Sequence, residues 1–345
     1  MKLCYQAATP DVAIADSVTA YQGPLAKTFG DLGALGYDGV ELMTLNPGKL
    51  DWREVKETAE ENNLSVVLVC TGEIFGQLGL SYTHPHRSLR REAVERTKEI
   101  IDFAGYLGAN VNIGRIRGQY CRELDREETI ELAQNAFTEL ADYAAPKNVD
   151  IALETVTIMQ TNFINTLAEG AAMADRVGRP NFRLMMDIFH LNLEEKDLYE
   201  AIRTYSSYNI HVHLADNNRR YPGQCGLDFE KILTVFRECG YDGNYCTEIF
   251  QLPSMEEAAR ESIRYLRPIA DRVYGGNTHC NEAGRNKDGR GRSRRGCRYE
   301  RGTKGNTSKA VPCIPQQADG SAVQCPDRPS RGIAVLHGDI DSALL

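Results

Sequence analysis

The chain contains no apolar run that approaches the length needed to cross a bilayer, which sets aside a membrane-spanning role. Cationic charge is not in excess: 40 Lys and Arg against 48 Asp and Glu leave a net charge of -8. Such a chain repels phosphate backbones at long range, so nucleic acid is not an expected partner. Its ten cysteines include no CxxC pair. Cys4, Cys70, Cys121, Cys225, Cys239 and Cys246 are scattered, several inside apolar runs such as VVLVC and NYCTEIF, where a thiol acts as a small hydrophobe. Neither GxGxxG nor GxxxxGK[ST] follows the first apolar run, which argues against a nucleotide cradle there. The amino terminus has a single Lys and no continuous apolar core, so a signal peptide is not expected and the cytoplasm is the expected compartment. The single Trp, Trp52, stands at a helix start and reads as packing.

Composition changes sharply near Tyr274. The segment 275–345 opens with a stretch, 275–310, that is rich in Gly, Arg, Asn and Ser and nearly free of aliphatic residues. It is expected to be disordered, because it buries too little apolar area to offset the entropy of ordering. A translated frameshift would leave the same signature. Its His279, Cys280, Cys297, Cys313 and Cys325 match no common zinc spacing.

Residues 1–274 alternate strand-like runs with amphipathic helical stretches. The strand candidates are Leu3–Ala7, Gly39–Met43, Ser65–Cys70, Asn110–Gly114, Val149–Glu154, Phe182–Asp187, Ile210–Ala215 and Tyr245–Ile249. REAVERTKEIIDFAGYLGA and REETIELAQNAFTELADYAA show the clearest helical period. Eight strand–helix units predict a single (β/α)8 TIM barrel; a doubly wound sheet shares the alternation but gathers its site at one switch point.

Polar residues instead close several late strands. VDIALETV places Glu154 at the end of strand five, FRLMMDIFH places Asp187 and then His190 at strand six, and YCTEIF places Glu248 at strand eight. Strand seven, NIHVHLADNNRR, offers His211 and His213 on one face, with His213 nearer the carboxyl end and His211 deeper in the core. Three carboxylates and an imidazole converging at a barrel mouth repel one another unless a cation joins them. Glu154, Asp187, His213 and Glu248 are therefore the expected metal ligands. Three oxygens and one nitrogen suit one divalent ion, Mn²⁺, Mg²⁺ or Co²⁺, better than a closed zinc site.

The stretches LETVTIMQTNFINT, MMDIFHLN, HVHLADNNRRYPGQCGLDF and GYDGNYCTEIF resemble the xylose-isomerase-like sugar phosphate isomerase/epimerase superfamily, nearest to the ketohexose 3-epimerases. The resemblance spans residues 1–274 and none of the tail. It implies that the ion is Mn²⁺, that Glu154 and Glu248 also act as the acid/base pair, and that His190 and Arg219 contact the substrate. It implies a sugar or sugar phosphate as the small-molecule partner. Barrels of this type often pair through outer helices, so a homo-oligomer is compatible with the sequence. One departure stands out: the 3-epimerases carry a substrate-binding glutamate six positions after the strand-five ligand, and here that position is Gln160. From the residues alone, VNIGRIRG brings Arg115 and Arg117 beside a glycine turn, suited to an anionic group or else solvated or paired. Glu41 and Glu73 are weaker candidates for the mouth, each with an equal reading as a paired or solvated carboxylate. His84 and His86 read as loop surface.

Two other activities share this scaffold. A dehydratase of the inosose or dehydroshikimate type starts with the same enolate and expels a hydroxyl. An endonuclease-IV-like nuclease needs three metals and further histidines, but strands three and four end here in Cys70 and Gly114, and no Asp-x-His follows His213.

Overall fold

The computed structural model describes residues 1–275. The tail expected to be disordered, with its scattered Cys and His, lies outside the described residues apart from Gly275.

Eight parallel strands close into a barrel in sequence order: β1 (Lys2–Ala8), β2 (Gly39–Met43), β3 (Ser65–Cys70), β4 (Asn110–Ile113), β5 (Ile151–Glu154), β6 (Phe182–Asp187), β7 (Asn209–Leu214) and β8 (Asn244–Thr247). β8 pairs with β1, so no edge is left open. Strands β2, β3 and β6 have the bounds read from the sequence. Among the described residues ten α-helices surround the barrel: α1 (Leu25–Ala34), α2 (Trp52–Glu61), α3 (Gly72–Leu78), α4 (Arg87–Leu107), α5 (Arg126–Ala144), α6 (Leu167–Val177), α7 (Ile188–Glu194), α8 (Leu198–Tyr205), α9 (Phe229–Glu238) and α10 (Met255–Tyr274). Two connections differ from the expected one helix per strand. The short helices α3 and α7 follow β3 and β6 directly and carry side chains onto the mouth. Among the described residues no helix is long and apolar enough to cross a membrane.

The two-residue period of each strand divides its side chains between two cores. Ile151 and Leu153 of β5, Leu184 and Met186 of β6, and Val212 and Leu214 of β7 face outward and join Phe29, Phe103, Phe137, Phe229 and Phe236 of the helices. The alternate residues face inward. Deep inside, Cys4, Leu68, Ala152, Met185 and Cys246 form a small apolar plug. Above it the interior turns polar, with Gln6, Glu41, Asn112, His211 and His213 all buried. The charged groups gather at the carboxyl ends of the late strands, the end of such a barrel where sites form.

Candidate metal centre

Glu154 ends β5, Asp187 ends β6, His213 lies on β7, and Glu248 follows β8 by one residue. The structure brings one ligand atom from each to within 4.8 Å of the others. His213 Nδ1 is the hub, at 2.8 Å from Glu248 Oε2 and 3.5 Å from both Glu154 Oε1 and Asp187 Oδ2. All four side chains are shielded from water, Glu248 the least. Glu154 Oε1 and His213 Nδ1 are buried without a hydrogen-bond partner. Two orphaned polar atoms aimed at one point, among oxygen donors, are what a cation would satisfy. The donor set therefore fits a single divalent ion.

The electrostatics agree with that fit. Burial alone would raise Asp187, but the Arg219 guanidinium beside it holds it well below the usual carboxylate range. Burial likewise opposes ionisation of Glu248, and Arg219 and His213 outweigh it, so its pKa falls. Glu154 goes the other way: burial raises it, and the neighbouring Glu248 and Asp187 charges add to the rise against His213. His213 would be lowered by burial, yet the Glu41 and Glu248 charges push it well above the ordinary imidazole value. The cluster draws positive charge to itself.

Asp187 serves two purposes. Its Oδ1 accepts the backbone N–H of Phe189 at 2.8 Å and of His190 at 3.4 Å, capping α7, while Oδ2 faces the ligands. One helical turn on, α7 sets His190 against the site, with Nε2 at 3.8 Å from Asp187 Oδ2 and 4.0 Å from Glu154 Oε1. His190 Nδ1 accepts the Thr157 backbone N–H at 3.4 Å, which leaves the ring proton on Nε2, facing the site. Burial lowers its pKa to about 4, partly offset by Asp187, so the ring is a neutral donor near neutral pH.

Arg219 also arrives at the site. Its Nη1 lies 2.7 Å from Asp187 Oδ2, its Nη2 pairs with Glu248, and its guanidinium stacks over Phe189 at 4.8 Å. The residue adopts φ +58, a left-handed conformation uncommon for a side chain of this size. Asp216, which the sequence reading passed over, holds that turn. Its backbone C=O accepts Arg219 N–H at 2.8 Å, and its carboxylate accepts the N–H groups of Gly223 and Cys225 at 3.0 and 2.9 Å. An Asp directly after an apolar strand and before Asn-Asn was the available signal.

Arg117 corrects an expectation. It is fully buried, and its guanidinium donates to the carbonyls of Phe163, Gly114, Glu154 and Ile164 at 2.8–3.1 Å. The side chain ties the loops after β4 and β5 together instead of presenting charge to a substrate. Arg115 is one-third exposed, 3.8 Å from Glu73 Oε1 and over the Phe75 ring. Glu73 itself is buried in α3 and accepts Gln77 Nε2 at 2.8 Å. Gln160 lies exposed in the loop after β5. Glu41 is a fully buried carboxylate below the mouth. His84 is half-buried and His86 exposed at the start of α4. Trp52 packs on Phe103 and Tyr106 and donates to Pro47 O at 2.8 Å.

Replacing Arg117 by Leu leaves up to four buried carbonyls without a donor, at roughly 1–3 kcal/mol each before relaxation. The expected result is a stability loss of about 4 kcal/mol, read from urea unfolding. Unchanged stability with weaker binding of an anionic substrate would return Arg117 to the binding role.

Comparison with known proteins agrees with this architecture. Residues 29–269 match the family described as the xylose isomerase-like TIM barrel. The L-ribulose 3-epimerase of Methylomonas sp. (strain DH-1) is 30% identical over 231 residues, covering 65% of this chain and 78% of that protein. The crystal structure of a D-psicose 3-epimerase with D-tagatose from Clostridium cellulolyticum H10 superposes with a TM-score of 0.65 at 21% identity, covering 78% of this chain and 99% of that one. The apo 3-keto-D-glucoside 4-epimerase of E. coli superposes equally well, TM-score 0.65 at 22% identity, with coverage of 78% and 99%. The chain belongs to the xylose isomerase-like TIM-barrel family. With curated sugar epimerases as relatives, it is an enzyme of the isomerase class.

Proposed function

We propose that this barrel is a divalent-metal-dependent sugar epimerase or aldose–ketose isomerase that moves a proton through an enediolate. The observation that carries the reading is the convergence of Glu154, Asp187, His213 and Glu248 on one point with two orphaned ligand atoms. Those four side chains would hold the ion, Mn²⁺ first, with Mg²⁺ or Co²⁺ able to replace it. A bound ion would supply positive charge that stabilises an enediolate, since a carbon acid of this kind is otherwise too weak to ionise.

The protein's own groups do the rest. Glu248, kept ionised by Arg219, is the base that takes the proton from the carbon beside the carbonyl. Glu154, across the site from it, returns a proton to the other face of that carbon. They reach the site from different arcs of the rim, β5 and the segment after β8, so a planar carbon between them is approached on both faces. His190 donates its Nε2–H to a substrate oxygen without adding charge, and Arg219 donates from the opposite loop.

The two arginines offered for a phosphate favour an uncharged sugar instead. Arg117 is engaged by backbone carbonyls and Arg115 is matched by Glu73. The names of the relatives point the same way, toward ketoses and a keto-glucoside.

The test is a panel of ketoses, their phosphates and keto-sugars in D₂O with added Mn²⁺, read by mass. Gain of one deuterium without other change is expected. Loss of water would move the chain to the dehydratases, and no exchange with any compound would end the proposal. Arg219→Ala is expected to raise KM about 10- to 100-fold, the size of one or two lost charge-assisted hydrogen bonds. An unchanged KM would remove Arg219 from the substrate site.

A further inference from the structure

Glu41 lies on β2, fully buried beneath the four rim side chains and not one of them. Its Oε2 stands 2.8 Å from His213 Nε2 and 2.9 Å from His211 Nε2. Its Oε1 accepts Gln6 Nε2 at 2.7 Å and the Cys70 thiol. Four donors on two oxygens are satisfied only by an ionised carboxylate, which accepts and never donates. Both imidazoles must then present N–H at Nε2. The neutral ring that a bound ion requires carries one such proton, on Nε2, so His213 Nδ1 is the lone pair left to offer the ion. That nitrogen is the one that lacks a partner and faces Glu154, Asp187 and Glu248.

We infer that Glu41 is the positioning residue of the metal centre, holding His213 in the Nε2–H tautomer with Nδ1 turned to the ion. The inference rests on the metal-centre reading given above. Glu41 is itself held from several sides: Gln6 and Cys70 donate to one oxygen, and His211 shares the other with His213. The network also reaches a second rim residue. Gln6 Oε1 lies 3.0 Å from the Thr19 hydroxyl, which is 3.0 Å from Glu248 Oε1. Through these contacts the polar floor of the barrel sets the aim of one nitrogen and one carboxylate at the rim. A ligating imidazole whose other N–H loses its carboxylate partner typically binds metal 10- to 100-fold more weakly.

The test is calorimetric titration of Mn²⁺ into the metal-stripped full-length chain, comparing the unchanged protein with Glu41→Gln and Glu41→Asp. Gln keeps the shape and removes the charge, and it sets an amide N–H₂ against donors. The expected Kd is about 10- to 100-fold higher for E41Q, with E41D recovering part of the loss. The visible absorption of the Co²⁺-loaded protein is expected to shift in E41Q, a change that mere loss of stability would not produce. An E41Q protein that binds Mn²⁺ within about twofold of the unchanged chain, with the same Co²⁺ spectrum, overturns the inference. Should neither variant fold, nitrogen NMR of the Mg²⁺-loaded unchanged chain decides: a protonated Nε2 and bare Nδ1 on His213 support it, and the reverse overturns it. An unchanged chain that binds no divalent ion defeats the metal-centre reading itself, and this inference with it.

Discussion

Glu248→Gln is expected to cut solvent deuterium exchange at the reacting carbon by about 10²- to 10⁴-fold, and Glu154→Gln to do the same. The size follows from the role proposed for each carboxylate. A base removed from the transition state leaves water to take the proton, and an acid removed leaves the enediolate without a positioned donor. Gln preserves volume and one acceptor oxygen, so the barrel should fold and far-ultraviolet circular dichroism should match the parent. The two variants should also differ. Glu248 is the carboxylate that Arg219 holds ionised. Its loss leaves Arg219 with Asp187 alone, and the Thr19 hydroxyl still finds an amide oxygen. Glu154 Oε1 has no partner to lose. Its variant should therefore keep parental stability more closely. Exchange that survives in the double variant would refute the acid/base assignment.

Stripping the divalent ion is expected to abolish turnover while the barrel stays folded, and Mn²⁺ added back should restore it. Carboxylates this close repel, yet two positive groups already stand among them. Arg219 pairs with Asp187 and Glu248, and His213 is driven toward its charged form. These contacts hold the rim together without an ion but leave no charge directed at a substrate carbonyl. Binding should show as stabilisation of about 2.7 kcal/mol when free metal is 100 times Kd, read as a rise in melting temperature. Full turnover in a chelated sample, with no metal by elemental analysis, would remove the ion from the reaction.

The frame of the molecule was open to reading because it rests on local patterns. A strand buried on both faces writes an apolar run, and a charge at its carboxyl end is placed by the run before it. VDIALETV, FRLMMDIFH and NIHVHLAD each carry such a residue, and the structure brings Glu154, Asp187 and His213 together with Glu248. What escaped depends on distant backbone. The carbonyls that occupy Arg117 belong in part to Phe163 and Ile164, more than forty residues on, and no spacing near VNIGRIRG announces them. Glu41 meets His211 and His213 across the barrel at a separation of at least 170 residues, so its two readings could not be told apart before the closure was known. The short helix α7 was hidden because its start is a side chain that also looks like a metal ligand.

That shared carboxylate limits how the corner can be dissected. Asp187 holds the first turn of α7 with one oxygen and faces the ligand cluster with the other. Removing the whole side chain would loosen His190 along with the ligand sphere, and a lost helix cap alone costs about 1 kcal/mol. Asn, which keeps the cap and drops the charge, is the cleaner probe. On the roles proposed for them, His190's grip on the substrate's oxygens and the hold on the ion hang from one hinge-pin, so neither property can drift without dragging the other.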